Sequence, residues 1–415
     1  MKFEELYNQL LRRSLDGAAP VELNLLSQEG YDPHQLSCLL EPGKHPLVIR
    51  TGPCDCSAGQ KEACQRACPF DALTLDREGN VNAAESGCLG CGECIANCNA
   101  RKLTESRDLL PALAAIRNAS TPVYAMIAPA FVNQYSESVT PGKLRTAFKK
   151  IGFSGMVEVA LFADILTLKE ALEFDSKINT EQDYQLTSCC CPMWIGMIRK
   201  VFSQLMPHVP ASVSPMVACG RAIKALHPGA VTVFIGPCLA KKAEAREADI
   251  RDSTDFVLTF QEIQDLFDFA GIHPAELEED SHDHSSRAGR IYAGSGGVSE
   301  AVRATVERIN PGREIAVHTR HADGVPACKV MLNDILAGKG GANFYEGMGC
   351  VGGCIGGPRS LVSREDGRRS VIRYGSQASY GTPVDNPYVI ALLHQLNLDS
   401  TEDLLEHSDL FERKF

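Results

Sequence analysis

Apolar residues recur along this 415-residue chain with two different periods, and the changes of period mark its parts. The opening segment, MKFEELYNQLLRRSLDG, alternates charge with leucine at helical spacing and predicts a short amphipathic helix. Helix and loop continue to about residue 45, where the turn-rich EPGKHP closes them. Between residues 46 and 105 the periodicity breaks up, and ALTLDREGNVN reads as a hairpin with its turn at Glu78-Gly79-Asn80. A helical stretch from about Ser106 to Asn118 leads into a buried strand, PVYAMIAPAFV. From there the two periods alternate. GKLRTAFKKIGF predicts a helix, MVEVALF a strand, ADILTLKEALEFDSKI a long helix and WIGMIRKVFSQLM another helix. VTVFIGPCLA predicts a strand, and IYAGSGGVSEAVRATVERI a strand feeding a helix. Such alternation predicts an α/β domain with largely parallel sheets. The segment EEDSHDHSSRAGR is expected as a polar surface loop, with His282 and His284 solvated.

Composition narrows the class. With 44% hydrophobic and 22% charged residues the chain is that of a globular protein, and its length leaves room for at least two cores and suggests two or three domains. A net charge of -11 argues against a nucleic-acid partner and favours a small basic or metal-bearing one. There is no run of about 18 apolar residues to predict a membrane span, and the N-terminus lacks the apolar centre of a signal peptide. A cytoplasmic, reducing location is expected.

Seventeen cysteines change that picture, because nearly all stand in short bursts. Thiolates two or three residues apart converge on metal better than they pair as disulfides. Cys88-x2-Cys91-x2-Cys94-x3-Cys98 has the spacing of an iron–sulfur loop, whose first three sulfurs hold one cluster while the fourth reaches another. The earlier burst ends regularly, at Cys64-x3-Cys68-Pro69. Its start does not: seven residues separate Cys54-x-Cys56 from Cys64, which reads as a binding loop with an insertion. The pair resembles a two-cluster bacterial ferredoxin domain. That resemblance implies one [4Fe–4S] cluster on Cys54, Cys56, Cys64 and Cys98, and a second on Cys68, Cys88, Cys91 and Cys94. Such clusters carry single electrons.

The later bursts stand in three motifs: Thr187-Ser188-Cys189-Cys190-Cys191-Pro192-Met193-Trp194, then Pro237-Cys238-x2-Lys241-x2-Glu244, then Glu346-x-Met348-x-Cys350-x2-Gly353-Cys354-x2-Gly357. In order and context they resemble the signatures of the [FeFe]-hydrogenases, TSCCPxW, PCxxKxxE and ExMxCxxGCxxGG. MIAPAFV, AGSGGVSEAV and DNPYVIALLHQL look familial too. The resemblance implies that Cys191, Cys238, Cys350 and Cys354 hold a [4Fe–4S] cubane. Cys354 would bridge it to a diiron subsite carrying CO, cyanide and azadithiolate, the whole being the H-cluster. Lys241 would donate to one cyanide, the backbone around Ala128 and Pro129 would face the other, and Met348 would pack near the bridging ligand. Glycines around Cys354 suit close approach of backbone to a bulky group.

Pro192 and Trp194 set the register of the first motif, which makes Cys190 the residue at the family's proton-relay place. A thiol there can donate a proton and be reloaded from a carboxylate. Cys189 is extra. It has no role in the resemblance and is expected as a small buried residue, and the TSCCCP form resembles the branch called group B. Glu173 lies 17 residues before Cys190 and Glu170 one turn earlier on the same helix face, matching glutamates of the family relay. The family's serine between them falls at Pro210, so Ser212 or a water is the expected substitute, and Lys177 is placed to orient Glu173. Gly236, Asn133, Pro358 and Arg359 replace the family's methionine, arginine, glycine and glutamine. Cys38, Cys219 and Cys328 are expected to be plain buried thiols.

The resemblance thus implies an α+β ferredoxin-like domain (46–105) on a two-lobed α/β domain with the active cluster between the lobes (106–361). An N-terminal helical extension (1–45) and a C-terminal helical segment (362–415) flank them. The implied reaction is 2H+ + 2e- ⇌ H2, with electrons from a ferredoxin or similar low-potential carrier and the diiron subsite installed by maturation proteins. Two other readings share the motifs. An iron–sulfur assembly protein without a diiron subsite would not need Lys241, Glu244, Met348, Glu173 and Cys190 together. A hydrogen sensor would be expected to carry a signalling domain beyond about residue 400.

Overall fold

The computed structural model describes residues 2–16, 31–84, 87–187, 190–406 and 409–414. Its strands, in chain order, are β1 (Val48–Arg50), β2 (Leu73–Leu75), β3 (Val81–Ala83), β4 (Leu103–Glu105), β5 (Val123–Ile127), β6 (Gly155–Glu158), β7 (Gln185–Leu186), β8 (Val231–Gly236), β9 (Phe256–Thr259), β10 (Thr319–Asp323) and β11 (Phe344–Met348). Two small antiparallel pairs, β1 with β4 and β2 with β3, carry the N-terminal cysteine bursts between them. Beyond them stand two parallel sheets, one of four strands in the order β6-β5-β8-β9 and one of three in the order β10-β11-β7. The fold is the expected α/β class. Among the described residues no helix is long and apolar enough to cross a membrane.

Each parallel sheet sits in its own hydrophobic core. Val123, Ala125, Met126, Ile127, Val233 and Ile235 belong to one core, and Leu186, Phe344 and Tyr345 to the other. Cys94, Val48, Leu73, Val81 and Leu103 form a third, small core under the first two bursts. The helix Ala160–Lys177 belongs to both large cores: Phe162, Ile165 and Leu166 face the first, Ala163, Ala171 and Phe174 the second. The N-terminal helix forms as its period predicts, over Phe3–Leu15, burying Phe3, Leu6, Tyr7, Leu10 and Leu11. Arg107 holds it in place by pairing with Glu4 at 2.6 Å and lying 4.2 Å above the Tyr7 ring.

Several expected elements divide. PVYAMIAPAFV is strand only to Ile127, because Pro129 cannot donate to a ladder and starts a short 3-10 turn, Pro129–Phe131. MVEVALF is strand to Glu158 and helix from Ala160. The start of IYAGSGG, expected as a strand, is instead the end of a short helix, Arg287–Ile291. Its physical cause is buried and remote in sequence. The Asp164 carboxylate accepts from Ser286 N at 2.6 Å, Ser286 Oγ at 2.5 Å and Gly289 N at 2.8 Å, and so captures the free donors of that helix start. Asn386 donates to the same carboxylate at 3.3 Å. Burial raises Asp164 to about 6, against the pull of these donors.

Candidate active site

Parallel sheets put their loops to use at the carboxyl ends of the strands, where neighbouring connections diverge. Here every signature motif leaves from such an end. Ala128-Pro129 follows β5, Pro237-Cys238 follows β8, Cys190-Cys191 comes shortly after β7, and Gly349-Cys350 follows β11. Two sheets therefore deliver four loops to one place.

The thiols gather in three sets. Burial raises Cys350 well above the ordinary thiol range, and the nearby Cys238, Cys191 and Cys354 raise it further. Cys354 is pushed up to about 12 by burial and by Cys238 and Cys191, and Cys238 to about 11 by burial and by Cys191. In the same way burial raises Cys64, which also feels Cys98, Cys56 and Cys54. Cys94, pushed up to about 12 by burial, feels Cys91, Cys88 and Cys68. These are the groupings implied by the resemblance. In none of them do three ligand atoms close to within 4.8 Å of one another, so each set is wider than a single-ion site. Buried thiolates that repel one another call for a compact positive core, and a cubane of iron and sulfide fits that donor set.

Local structure fixes each set. The insertion after Cys56 is the helix Ala58–Ala67, started by a reciprocal Ser57–Gln60 capping box. The predicted hairpin forms, and its Asn80 side chain accepts from Cys54 N at 2.9 Å. Cys68 and Cys98 each accept an amide N–H from four residues on, Ala72 and Lys102, at 3.3 Å. At the later set Cys191 caps the helix Pro192–Val201, and Gly349 N donates to its Sγ at 3.3 Å. Gly353 holds φ 76° against Ser295 N and Ala293 O, which a Cβ would meet at 2.8 and 2.9 Å.

The loop of the second burst presses on this place directly. A Cβ on Gly90 would meet Ala240 Cα and Leu239 O at 2.9 Å, and one on Gly92 would meet Pro358 at 3.2 Å. Cys91 is close enough to Cys350 to raise it. Pro358 and Arg359, the departures from the family pattern, belong to this contact. Arg359 N donates to Pro237 O at 3.0 Å, and its guanidinium pairs with the buried Glu105 at the end of β4. Gly236, where the family has methionine, is filled by its neighbour: a Cβ would meet the Phe234 ring at 2.9 Å and Ala128 Cβ at 3.0 Å. Asn133 takes φ 66° and donates to Ser370 Oγ at 3.2 Å.

Lys241 is buried and pairs with buried Glu244 at 2.6 Å. Burial opposes its charge, but Glu244 and the thiols of Cys238 and Cys354 keep it above the ordinary lysine range. A second oxygen of Glu244 is buried without a partner. Met348 is buried at the end of β11. Ala128 is in place, but its N–H donates to Ile235 O at 2.9 Å and Pro129 has none. These two residues can shape the site but have no backbone donor left to give it.

Half-buried Cys190 lies in electrostatic reach of Glu170, Glu346 and Cys354, and burial with those neighbours raises its thiol well above the usual range. Ser188 and Cys189 lie outside the described residues. Glu170 and Glu173 are both buried on one helix. Glu173 pairs with Lys169 at 3.1 Å and with the exposed Lys177 at 3.6 Å. Lys169, which belongs to no motif, is fully buried and also reaches Glu412 at 3.5 Å. Ser212 is buried, its hydroxyl has no partner, and its backbone bridges Glu412. Two more residues were not anticipated. Glu346 accepts from Gly296 N at 2.8 Å and Ser299 N at 2.7 Å, capping the helix Gly297–Ile309 from the signature strand. Tyr292 receives a hydrogen bond from Thr167 at 2.8 Å beside Glu170 and Cys190. Glu346 was visible as the first residue of its motif, and Lys169 as the residue one helical turn before Glu173; nothing local marks Tyr292.

Comparison with known proteins places these features. Residues 121–358 match the family described as iron only hydrogenase large subunit, C-terminal domain. The chain is 26% identical over 398 residues to the NADP-reducing hydrogenase subunit HndD of Solidesulfovibrio fructosivorans, covering 80% of this chain and 68% of that protein. It is 27% identical over 285 residues to iron hydrogenase 1 of Clostridium pasteurianum, covering 59% of this chain and 50% of the relative. The chain thus spans half to about two-thirds of the length of these relatives. A solved single-residue variant of the [FeFe]-hydrogenase HydA1 from Chlamydomonas reinhardtii shares the fold with a TM-score of 0.61 at 20% identity, over 74% of this chain and 98% of that one.

Proposed function

The chain belongs to the iron-only hydrogenase family, and from that premise we propose that it interconverts protons, electrons and H2 at the place where its four signature loops meet. The convergence of Cys191, Cys238, Cys350 and Cys354 beside a buried, charged Lys241 carries the reading. An H-cluster bound there would supply the redox chemistry of H2. The protein's own work is to hold, insulate and feed it.

In this reading residues 46–105 are the wire. Cys54, Cys56, Cys64 and Cys98 hold an outer [4Fe–4S] cluster, and Cys68, Cys88, Cys91 and Cys94 an inner one, with Cys91 beside Cys350. The donor is a ferredoxin-type low-potential carrier in the cytoplasm, and separate maturation proteins install the diiron part. Residues 106–361 carry the reaction, flanked by 1–45 and 362–415.

Lys241 fits an anionic ligand such as a cyanide nitrogen, since its ammonium keeps donors beyond the one that Glu244 takes. Cys190 is the proton donor and acceptor nearest the cluster, reloaded from Glu170. The path outward runs by Ser212 to Glu173, where buried Lys169 joins Glu173 to Glu412. The third cysteine of the first motif marks a variant resembling group B. Met348 and the loop at Ala128 and Pro129 pack around the bound group.

Infrared spectroscopy on the matured protein, together with an H2 assay in both directions, tests the proposal. Bands of iron-bound CO and cyanide between roughly 1,800 and 2,100 wavenumbers and turnover with a low-potential dye are expected. A protein with full cubane iron but neither bands nor turnover after maturation overturns it in favour of an assembly role. Bands with negligible turnover in both directions would favour a sensor.

A further inference from the structure

One convergence of metal-ligating side chains belongs to none of the three thiol sets. His34 and Cys38 stand four residues apart on the helix Pro33–Leu40, and so share a face. The chain then turns back through Pro42–Lys44 and presents His45 to that face. One ligand atom of each residue lies within 4.8 Å of the other two, and among the described residues no other trio of His, Cys, Asp or Glu does so. Cys38 Sγ and His34 Nε2 are 3.7 Å apart. That is close to the roughly 3.5 Å edge of a tetrahedron with Zn–S of about 2.3 Å and Zn–N of about 2.0 Å.

Cys38 meets His34 in an S–H···N contact, and the His34 and His45 rings pack edge to face with centroids 5.4 Å apart, so the three donors share one corner of the fold. Ser37 meets His45 Nε2 at 2.8 Å and fixes the orientation of that ring, as partners of metal-bound imidazoles do. Cys38 is buried, His45 half-buried and His34 exposed, so the trio has a dry floor and a wet mouth. It borders a cavity of about 320 Å3 that is also lined by Val48, Ile49, Arg50, Thr51 and Gly52.

We propose that His34, Cys38 and His45 bind one divalent ion of the zinc class, with solvent as the fourth ligand. One thiolate with two imidazoles is a donor set for zinc rather than for calcium or magnesium. The ion would staple the segment 34–45 to itself at the edge of this cavity. The site is distinct from every iron position, since it shares no residue with them.

The test uses the whole protein with its iron–sulfur clusters in place, washed with a mild chelator and then dialysed against zinc. Metal analysis should find one zinc per chain, and zinc-edge X-ray absorption should show one sulfur and two imidazole nitrogens. His34→Ala, at an exposed position that does not endanger folding, and Cys38→Ser should each lose that zinc while iron content stays unchanged. Absence of zinc from the wild-type protein overturns the proposal. So does a shell of four sulfurs, which would mean zinc in a cluster position, or zinc retained by both variants.

Discussion

Gly347 lies between the glutamate and the methionine of the third signature, and it has no chemistry of its own. A Cβ at that position would lie 1.9 Å from Trp194 Cε3, 2.3 Å from Cζ3 and 2.4 Å from Cδ2. Carbon atoms settle at about 3.5 Å, so Gly347→Ala requires a retreat of roughly 1.6 Å. The strand has little freedom, since β11 is paired on both sides by β10 and β7. Trp194 must move instead. It is fully buried and tied through Nε1 to Thr187 O at 3.3 Å, and it rides on the helix that Cys191 caps. Overpacking of this kind costs about 1–3 kcal/mol, and a misplacement of about 1 Å at a reacting site costs on the order of 100-fold in rate. Gly347→Ala should therefore lower the thermal midpoint and cut H2 turnover about 100-fold, with iron lost only from the later set. Gly312→Ala, where nothing lies within 4 Å of the new Cβ, is the control and should match wild type. Wild-type stability, iron content and turnover in Gly347→Ala would refute the packing argument.

Cys190→Ala removes the thiol proposed as the relay but none of the proposed cluster ligands. Iron content and infrared bands should stay as in wild type while turnover falls about 100- to 10,000-fold; near-normal turnover would shift the relay to Cys189. Asp164→Asn sets an N–H against donors that now meet an oxygen, each unmet buried donor costing about 1–3 kcal/mol. The amides of Ser286 and Gly289 should then exchange with deuterium roughly 5- to 150-fold faster, and unchanged protection would sink the assignment. The same variant has a pH signature. Burial lifts Asp164 to about 6 in the fold, so its contribution to stability is fullest below about pH 4 and is lost as pH rises through 6; the variant should lack that slope. Arg359→Met leaves the buried Glu105 without its cation and should cost a few kcal/mol in thermal stability. Adding Glu105→Gln in the same chain should restore part of that loss, and no recovery would argue that the pair is incidental.

Cysteine spacing made the two N-terminal bursts legible, because ligand spacing within a loop is a local property; the later set, scattered from Cys191 to Cys354, came only through the resemblance of its three motifs to the hydrogenase signatures. The alternation of apolar runs marked β5, β6 and β8, whose residues are largely buried. It did not mark β10, since TRHAD is a polar edge strand with almost no apolar signal. β9 was hidden because its FVLT run passes with no break into the apolar start of the helix Phe260–Ala270, where Thr259 is both the last strand residue and the helix cap. The false strand at IYAG arose because apolar residues at a helix end read like a short strand; the capture by Asp164, 122 residues away, was what decided it. For the same reason Tyr292 and the link from Lys169 to Glu412 could not be found from the sequence, since Tyr292 and Thr167, like Lys169 and Glu412, are neighbours only in space.

The helix Ala160–Lys177 packs into both large cores and carries Glu170 and Glu173. A rod gripped from two sides cannot slip toward one lobe without tugging at the other. In the proposed relay, movement of either core against this helix changes the gaps from its carboxylates to Cys190 and Ser212, and those gaps set how readily a proton hops. Mutations that loosen either core, however far from iron, should register first as a throttled proton supply rather than as lost electron flow. In the proposed relay mechanical stiffness and proton conductance are geared to one shaft.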